Sequence, residues 1–262
     1  MVTYDYAKVE RQDHVTIVTI DRPASLNALD GPANRELDAI FDGFAADPDQ
    51  WVAIVTGAGD RAFCAGYDLK AAAGNQGVAE LPAGGFAGLT GRFDLVKPVI
   101  AAVNGFAFGG GFETALACDI IVAAEGASFA LPEPRVGLAA LAGGLLRLSR
   151  AIGEKRAMEI ILTCRRVGAE EGRTLGFVSE VVPREALMPR ALEIARTICQ
   201  ASPAAIRASK EVAARLGADK PLSEAYAVQM DGVAVTAMLA SPDLREGPTA
   251  FAEKRPPRWS GV

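Results

Sequence analysis

The sequence predicts an α/β core followed by a helical region. Three short apolar runs, at residues 51–56, 99–103 and 120–124, are each bounded by glycine, proline or aspartate, as is typical of strands covered on both faces. Helical patterns alternate with strands through about residue 150, which indicates an α/β fold. From there to the end the pattern is almost entirely helical.

The chain begins with a predicted β-hairpin, residues 4–10 and 14–20, in which the second run is β-branched from Val15 to Ile20. A helix is predicted over 30–45, because apolar residues recur on one side before Asp47-Pro48-Asp49 ends the pattern. His14, the single histidine, lies in the polar turn of the hairpin. That position favours a solvated turn residue over a catalytic one.

The last third predicts helices over 153–163, 184–200, 203–216, 221–240 and 243–252. Prolines stand near the starts of four of them, where a helix tolerates proline: Pro183, Pro203, Pro221 and Pro242. The apolar residues of this region could cover the core of their own chain or pack against a neighbouring subunit, so an oligomer is compatible with the sequence.

The composition excludes several classes of protein. With 50% hydrophobic and 23% charged residues the chain is globular, and a net charge of -5 gives no electrostatic case for nucleic acid or an anionic membrane. Four cysteines without a Cys-x-x-Cys pair and one histidine disfavour zinc sites, disulfide frameworks and Ser-His-Asp hydrolysis. Without a basic-then-apolar leader or an apolar span of about 18 residues, a cytoplasmic protein without a membrane partner is expected.

Two glycine-rich segments have an ambiguous meaning. Residues 71–91 are either a loose surface connection or a binding loop, and the residues favour neither. Residues 57–62 match the dinucleotide pattern Gly-x-Gly-x-x-Gly/Ala, but Phe63-Cys64-Ala65-Gly66 interrupts the helix that this pattern requires. A plain turn after a strand is therefore favoured there, and an NAD-binding dehydrogenase is nearly excluded.

A third glycine-rich segment, Gly109-Gly110-Gly111, stands where a strand gives way to a helix. Glycines there let the backbone approach a ligand, and the first amide groups of a helix are unpaired at the positive end of its dipole. The segment is either an anion-stabilising site or a device for tight helix–sheet packing. Ala65-Gly66 could open a second turn toward the same cleft, since α/β sheets bind ligands at strand ends.

Two carboxylates stand in apolar surroundings near these turns. Glu113 lies one turn into the helix after the three glycines, and Glu133 follows an apolar segment. A single such acid is more often paired with an arginine, and Arg135 is available for Glu133. Two acids together favour a functional reading, because desolvation raises a carboxyl pKa toward values that suit proton transfer.

Taken in order, these stretches resemble the crotonase (enoyl-CoA hydratase/isomerase) superfamily. The resemblance rests on residues 63–69 (FCAGYDL), 97–105 (KPVIAAVNG), 109–113 (GGGFE) and 132–133 (PE), and it extends to Arg22-Pro23 and residues 26–29 near the start. Within that superfamily the chain looks most like the carnitinyl-CoA dehydratases, in residues 69–73, 85–90, 128–133, 246–248 and 250–255.

The resemblance implies a fold and an activity. It implies a crotonase-like spiral of ββα repeats, with residues 1–195 as the core domain and 196–262 as a C-terminal helical region that covers the active site and forms the oligomer interface. It implies a homotrimer or hexamer that adds or removes water across the α,β double bond of an acyl-CoA thioester. No metal and no cofactor are implied, because coenzyme A enters as part of the substrate.

The resemblance also implies residue roles. Glu113 and Glu133 match the two catalytic glutamates of hydratases, and the N–H groups of Tyr67 and Gly110 match an oxyanion hole. Glu133 is expected to transfer the proton at the acyl α-carbon, and Glu113 to activate the water added at the β-carbon. Coenzyme A is expected along seven residues: Arg22, Ala24, Leu26, Ala65, Asp68, Leu69 and Lys70.

Two departures from the family's sequence pattern leave other interpretations open. Relatives usually have a proline in the turn that this chain fills with residues 139–142, and carnitinyl-CoA dehydratases tend to have Trp in place of Tyr67. An ordinary fatty enoyl-CoA is therefore an alternative to a betaine substrate, whose quaternary ammonium favours an aromatic cage. An isomerase, or a catalytically silent member that binds acyl-CoA or RNA, is the alternative activity.

Overall fold

A computed structural model describes residues 3–74, 80–216 and 220–261 of the chain. Within these residues the strands form one six-stranded and one four-stranded sheet. The strands are β1 Ala7–Gln12, β2 Val15–Ile20, β3 Val52–Gly57, β4 Ala62–Cys64, β5 Val99–Val103, β6 Phe106–Phe108, β7 Ile120–Ala124, β8 Ser128–Ala130, β9 Val167–Gly168 and β10 Glu180–Val182.

The helices lie around and between these strands. They are α1 Gly31–Ala46, α2 Leu69–Gly74, α3 Gly110–Ala117, α4 Gly144–Ile152, α5 Glu154–Thr163, α6 Ala169–Leu175, α7 Leu187–Cys199, α8 Pro203–Glu211, α9 Leu222–Val228, α10 Val233–Ala240 and α11 Asp243–Glu253. Short 3-10 turns cover Pro23–Ser25, Phe86–Gly88, Glu133–Val136, Arg184–Ala186 and Gln229–Asp231, and a π-helical turn covers Val212–Leu216.

From β3 to β8, consecutive strands alternate between the two sheets. The large sheet has the order β1-β2-β3-β5-β7-β10, and the small sheet has the order β4-β6-β8-β9. The pairs β3/β4, β5/β6 and β7/β8 therefore each place their first strand in the large sheet and their second in the small one. With the helices that follow β4, β6 and β8, this confirms the predicted spiral of ββα units.

The three apolar runs are the central strands of the large sheet, and β3 and β5 are buried throughout. Because side chains alternate across a strand, neighbouring residues of β3 join different clusters. Val55 packs in the cluster that contains Leu37 and Phe41 of α1, while Ile54 packs in the cluster that contains Ala191 of α7. The sheet is thus covered on both faces, as the runs predict.

The helical last third differs from the prediction in three places. The helix α4 was not predicted, and Gly153, with φ +84°, separates it from α5. The helix predicted over 221–240 is broken by Gly232, whose extended backbone ends the turn before α10. Two short strands, β9 and β10, also lie in this region because each completes the edge of a sheet.

The start of the chain and the glycine-rich stretch 71–91 also need correction. The hairpin strand β1 continues to Gln12, and the turn is confined to Asp13, with φ +52°, and His14, whose ring stacks on Trp51 at 3.6 Å. In the glycine-rich stretch, residues 75–79 lie outside the described residues, and residues 86–90 are buried. That second half is a core element and not a loose surface connection.

The structure bears on the predicted domain boundary and on the question of a membrane-spanning helix. The boundary expected between residues 195 and 196 falls inside the helix α7, and the division into two domains stays a prediction. In the described parts of the chain, no helix combines the length and apolar character that crossing a membrane requires.

A buried aromatic cluster tests the packing of the small sheet against α3. Phe129 of β8 lies 5.1 Å from both Phe112 and Phe177, measured between ring centroids. Because Phe129 has no exposed surface, Phe129→Ala should lower the free energy of unfolding by roughly 3–5 kcal/mol through the cavity it leaves. Chemical denaturation at one fixed protein concentration measures this loss.

The matched control is Phe93→Ala, since Phe93 is 69% exposed. It should change the free energy of unfolding by less than about 1 kcal/mol. Equal losses in the two variants would contradict the packing described here.

Candidate active site

A cavity of about 530 Å³ lies where four segments of the chain meet. They are the turn after β4, the start of α3, the chain from Pro132 to the start of α4, and the segment that contains Leu81 and Phe86. The lining residues are Ala65, Gly66, Tyr67, Leu69, Leu81, Phe86, Gly109, Gly110, Glu113, Pro132, Glu133, Arg135, Val136, Leu138, Ala139, Leu141 and Ala142. The structure therefore brings Tyr67, Gly110, Glu113 and Glu133 to one cavity.

Glycines let the first two segments approach each other closely. A Cβ atom added at Gly66 would lie 2.8 Å from the carbonyl oxygen of Phe108 and 3.2 Å from the amide nitrogen of Gly110, and one added at Gly111 would overlap the carbonyl of Cys64. Gly66 and Gly109 also have positive φ angles of +94° and +53°. The tight-packing interpretation of the three glycines is therefore confirmed, and their role in binding a ligand stays a prediction.

The start of α3 points into this cavity. Gly110 is its first residue, and the N–H of Glu113 donates to the carbonyl of Gly109, which closes the first helical turn. The N–H groups before Glu113 have no partner within the helix, and the helix dipole makes this end positive. A developing negative charge beside Gly110 would therefore be stabilised.

Glu113 is held at the floor of the cavity. Only 3% of its surface is exposed, and its Oε1 accepts a hydrogen bond of 2.8 Å from the N–H of Gly144 at the start of α4. Burial raises the pKa of this carboxyl to about 7, although the Gly144 N–H and the charge of Arg147 act in the opposite direction. Glu113 can therefore hold or release a proton near neutral pH.

Glu133 faces the same space from the 3-10 turn Glu133–Val136. Its Oε2 is buried without a hydrogen-bond partner among the described residues, and its Oε1 lies 2.9 Å from the position that a Cβ at Gly109 would occupy. Burial raises the pKa of this carboxyl, and its charge also raises the pKa of Glu113. Like charges that close together favour a state in which one acid is protonated and the other ionised.

The rest of the wall is apolar, with one cation. Phe86 packs its ring against Gly110, where a Cβ would lie 2.7 Å from the ring. Leu141 lines the cavity and is 82% exposed. Arg135, the arginine available to pair with Glu133 if that acid were only structural, instead donates to the carbonyl of Thr163 at 3.4 Å and lines the cavity.

The residues expected along coenzyme A lie in different places. Ala65 and Leu69 line the cavity, whereas Lys70 is exposed on the first turn of α2 and Asp68 accepts from the N–H groups of Lys70 and Ala71. Arg22 pairs with Asp30 at 3.0 Å and with Asp68 at 3.4 Å. That network joins the two segments that precede α1 and α2.

Ala24 and Leu26 belong to the turn beside Arg22. Ala24 is the middle residue of the 3-10 turn Pro23–Ser25, and Leu26, with φ +53°, ends it. The side chain of Asn27 donates to the carbonyls of Ala58 and Ala62 at 2.9 and 2.8 Å, which ties this turn to the loop after β3. The path expected for coenzyme A thus follows two turns that are bound to each other.

Sequence reasoning missed two functional neighbours. The N–H of Gly144 is the donor that holds Glu113, and a Cβ at Gly144 would lie 2.8 Å from the Cγ of Glu113. Phe86 closes the cavity over Gly110. The pair Gly143-Gly144 at a helix start could have indicated the first, by the same reasoning that singled out Gly109-Gly110-Gly111.

The structure also bears on the segment with the dinucleotide pattern and on the side chains that could hold a metal ion. Gly57 ends β3, and the chain turns directly into the loop before β4, so the plain-turn reading of residues 57–62 is confirmed. The part of the chain that the structure describes contains no group of three histidine, cysteine, aspartate or glutamate side chains placed to hold a metal ion.

Known proteins are similar to this chain in sequence over almost its whole length. The sequence model of the family described as enoyl-CoA hydratase/isomerase matches residues 10–262. A carnitinyl-CoA dehydratase of Escherichia coli K12 is 48% identical over 254 residues, which cover 96% of this chain and 97% of that protein.

Solved structures show the same likeness. An enoyl-CoA hydratase from Mycobacterium marinum is similar with a TM-score of 0.90 and 40% identity, over 98% of this chain and 99% of that one. A carnitinyl-CoA hydratase from Mycobacterium avium is similar with a TM-score of 0.76 and 41% identity, over 99% of this chain and 100% of that one.

The raised pKa of Glu113 predicts a pH-dependent stability. As pH rises from 4.5 to about 7, the unfolded chain ionises this carboxyl while the folded chain keeps it protonated, so the wild type loses stability relative to Glu113→Gln. We expect the difference in free energy of unfolding to change by up to about 3 kcal/mol. Denaturant titrations across this pH range measure it.

Glu10→Gln, which removes an exposed carboxyl of β1, serves as the control and should show no comparable trend. A wild type that follows the pH dependence of Glu113→Gln throughout would show that the Glu113 carboxyl is not desolvated.

Proposed function

The chain belongs to the enoyl-CoA hydratase/isomerase family, and from that premise we propose how its cavity adds water to, or removes it from, an acyl-CoA thioester. The protein is an enoyl-CoA hydratase/dehydratase, a hydro-lyase. The observation that supports the mechanism best is the meeting of Glu113 and Glu133 in one cavity with the start of α3.

We propose that the thioester oxygen binds the N–H groups of Tyr67 and Gly110. Negative charge develops on that oxygen when the α,β double bond is attacked, and preorganised donors stabilise it; in other enzymes one such donor is worth roughly 3–4 kcal/mol. The contact of Gly66 with Gly110 and the position of Gly110 at a helix start support this assignment.

We propose that the two glutamates divide the proton transfers. Ionised Glu113 takes a proton from water as the water oxygen bonds to the β-carbon, and protonated Glu133 gives its proton to the α-carbon; dehydration reverses both steps. The Gly144 N–H and Arg147 favour the ionised form of Glu113, whereas Oε2 of Glu133 has no partner in the described structure to stabilise a charge. Two acids in different surroundings thus suit opposite roles.

Coenzyme A is proposed to lie along Arg22, Ala24, Leu26 and residues 65–70, with Lys70 as a contact for a phosphate. The exposed ammonium of Lys70 at the first turn of α2 and the approach of Ala65 and Leu69 to the cavity support this path. The proposed chemistry uses carboxyl groups and backbone amides, so no cofactor is required beyond the coenzyme A of the substrate.

The acyl group proposed for the substrate is crotonobetainyl or carnitinyl. The names of relatives that are 47–48% identical support it, and Phe86 and Tyr67 supply aromatic rings that can bind a quaternary ammonium. A fatty enoyl-CoA is the second candidate, because Leu69, Leu138 and Leu141 line the cavity and Arg135 would repel a cation.

A homotrimer or hexamer and a cytoplasmic location are proposed as well. Leu222, Val233 and Phe251 in the C-terminal helices are each more than four-fifths exposed, and large exposed apolar side chains suit a subunit interface. The C-terminal helical region, residues 196–262, would then provide contacts between subunits.

The mechanism predicts that Glu113→Gln and Glu133→Gln each lower kcat by roughly 10²–10⁴-fold, because each removes a group that transfers a proton. KM should change little, since neither acid is proposed to bind coenzyme A. Loss of enoyl-thioester absorbance on incubation with crotonyl-CoA measures the rate. Glu125→Gln, at an exposed glutamate after β7, should retain wild-type activity.

Wild-type turnover in either cavity variant would remove that residue from the mechanism. A wild-type protein that leaves the absorbance unchanged but shifts the double bond of a β,γ-enoyl-CoA would instead support the isomerase.

A betaine substrate predicts a specific effect of Phe86→Leu. If the ring of Phe86 binds the quaternary ammonium, this variant should lose roughly tenfold in kcat/KM for crotonobetainyl-CoA through the missing cation–π interaction. Crotonyl-CoA has no cation, so its kcat/KM should stay within about twofold. Equal losses for both substrates, or a wild type that prefers crotonyl-CoA, would favour the fatty enoyl-CoA.

A further inference from the structure

Arg147 lies next to the active-site cavity without lining it. It is the fourth residue of α4, one turn after the Gly144 N–H that holds Glu113. Its side chain is partly buried, and burial lowers the pKa of the guanidinium, whereas the charge of Glu113 acts in the opposite direction. Removing a guanidinium from water is costly unless its donors and its charge have partners, so the contacts of Arg147 indicate its role.

The guanidinium of Arg147 joins two segments beside the cavity. Its Nη2 donates to the carbonyl of Thr90 at 2.9 Å, and its Nη1 donates to the carbonyl of Ala142 at 3.4 Å. Ala142 lines the cavity just before α4, and Thr90 ends the buried segment that begins with Phe86. Because the donors of a guanidinium are fixed in one plane, Arg147 sets the position of one segment relative to the other.

The contact with Thr90 extends to the cavity through Phe86. The hydroxyl oxygen of Thr90 accepts a hydrogen bond of 2.8 Å from the N–H of Phe86. The ring of Phe86 packs against Gly110, whose N–H is proposed to bind the thioester oxygen. Arg147 is therefore linked both to the ring beside the proposed oxyanion hole and to the helix start that holds Glu113.

The charge of Arg147 acts on Glu113 through space. The hydrogen bonds of the guanidinium go to carbonyl groups, while its positive charge lowers the pKa of the Glu113 carboxyl against the larger effect of burial. The effect is mutual, since the charge of Glu113 raises the pKa of Arg147. Loss of the guanidinium should therefore make Glu113 harder to ionise.

The remaining ionisable groups around this carboxyl act differently. The charge of Glu133 raises the pKa of Glu113. Burial raises the pKa values of the Cys64 thiol of β4 and the Cys118 thiol after α3, so both are uncharged near neutral pH. The strand β6 and the 3-10 turn Phe86–Gly88, which also pack against α3, contain no ionisable side chain.

Two further cations lie in the elements around the cavity. Arg135 follows Glu133, and Arg150 lies one turn after Arg147 on α4; both are exposed, so water and salt screen their charges. The charge of Arg147 is the better placed of the three, because its side chain is partly buried.

We propose that Arg147 is a positioning residue of the reaction: its guanidinium fixes the segments at Thr90 and Ala142 relative to each other and keeps a positive charge near the buried Glu113. The proposal rests on the proposed function, in which ionised Glu113 takes a proton from water. Arg147 does not contact the substrate. A lysine would supply the charge but could not hold both carbonyls in one plane.

The first test does not depend on activity. The free energy of unfolding is compared with and without Glu113→Gln across pH 4.5–9.5, in the wild type and in the Arg147→Gln background. In the wild type the difference should become constant once pH passes the raised pKa of Glu113, about 7. In Arg147→Gln that pH should rise by about one pH unit, and in Arg147→Lys it should stay near the wild-type value.

The second test is kcat/KM for crotonyl-CoA over the same pH range. Its acidic limb should move upward in Arg147→Gln and stay in place in Arg147→Lys, because this limb reports groups of the free enzyme. At the pH optimum both variants should lose roughly tenfold or more, since neither holds the two carbonyls. Arg150→Gln, which removes an exposed arginine of the same helix, should match the wild type in both tests.

The two tests separate this proposal from the proposed function. An Arg147→Gln variant whose pH profiles do not move, or an Arg147→Lys variant with wild-type kcat/KM, overturns the proposal. A shifted unfolding profile in a protein that does not hydrate crotonyl-CoA would count against the proposed function and support the effect of Arg147 on Glu113.

A further variant decides if circular dichroism shows that the Arg147 variants do not fold. Thr90→Val removes the hydroxyl that accepts from Phe86 and leaves the charge of Arg147 in place. It should lower kcat/KM without moving the acidic limb, and an unchanged kcat/KM overturns the proposal.

Discussion

Where β4 ends, the carbonyl of Cys64 lies directly against Gly111, with no room for a Cβ atom at that position. This contact of backbone on backbone sets the position of α3 relative to the turn at residues 65–67. Gly66 and Gly110 then come within contact distance, and the first turn of α3 directs its free N–H groups and the Glu113 side chain into one cavity. A side chain at Gly111 would separate the two segments, so the packing of the spiral and the geometry of the site depend on the same glycine.

A glycine also makes room for a buried acid. Glu113 is accommodated because the start of α4 offers the N–H of Gly144, which lies too close to Glu113 to bear a side chain. One hydrogen-bond donor does not offset the free-energy cost of removing a carboxylate from water, so the pKa of Glu113 stays raised. The fold therefore tolerates a destabilising group at neutral pH, and proteins retain such groups mostly where they perform chemistry.

The fold was largely predictable from sequence wherever one local pattern determines an element. Doubly buried strands appear as continuous apolar runs, and β3, β5 and β7 follow them. The acids and glycines of the site were also found, because each stands beside a strand-to-helix junction. Partners distant in sequence were not: Gly144 lies 31 residues from Glu113, and Phe86 lies in a stretch whose composition resembles a loop. The pair Gly143-Gly144 indicates a helix start, but its contact with Glu113, like the contact of Phe86 with Gly110, is a tertiary contact that no local pattern encodes. The break at Gly232 was not predictable either, because a helix could tolerate this glycine.

Buried polar side-chain atoms without a hydrogen-bond partner draw attention to Glu133. Within the described residues, the buried side-chain nitrogens and oxygens without a partner belong to Ser128, Glu133 and Arg207. Leaving such atoms unpaired costs free energy, and native structures contain few of them. Glu133 lines the cavity of the candidate active site, and burial raises the pKa of its carboxyl, because a carboxyl that is removed from water costs less free energy when it carries a proton. The protonated form is the one that the proposed mechanism needs, since Glu133 is proposed to give its proton to the α-carbon.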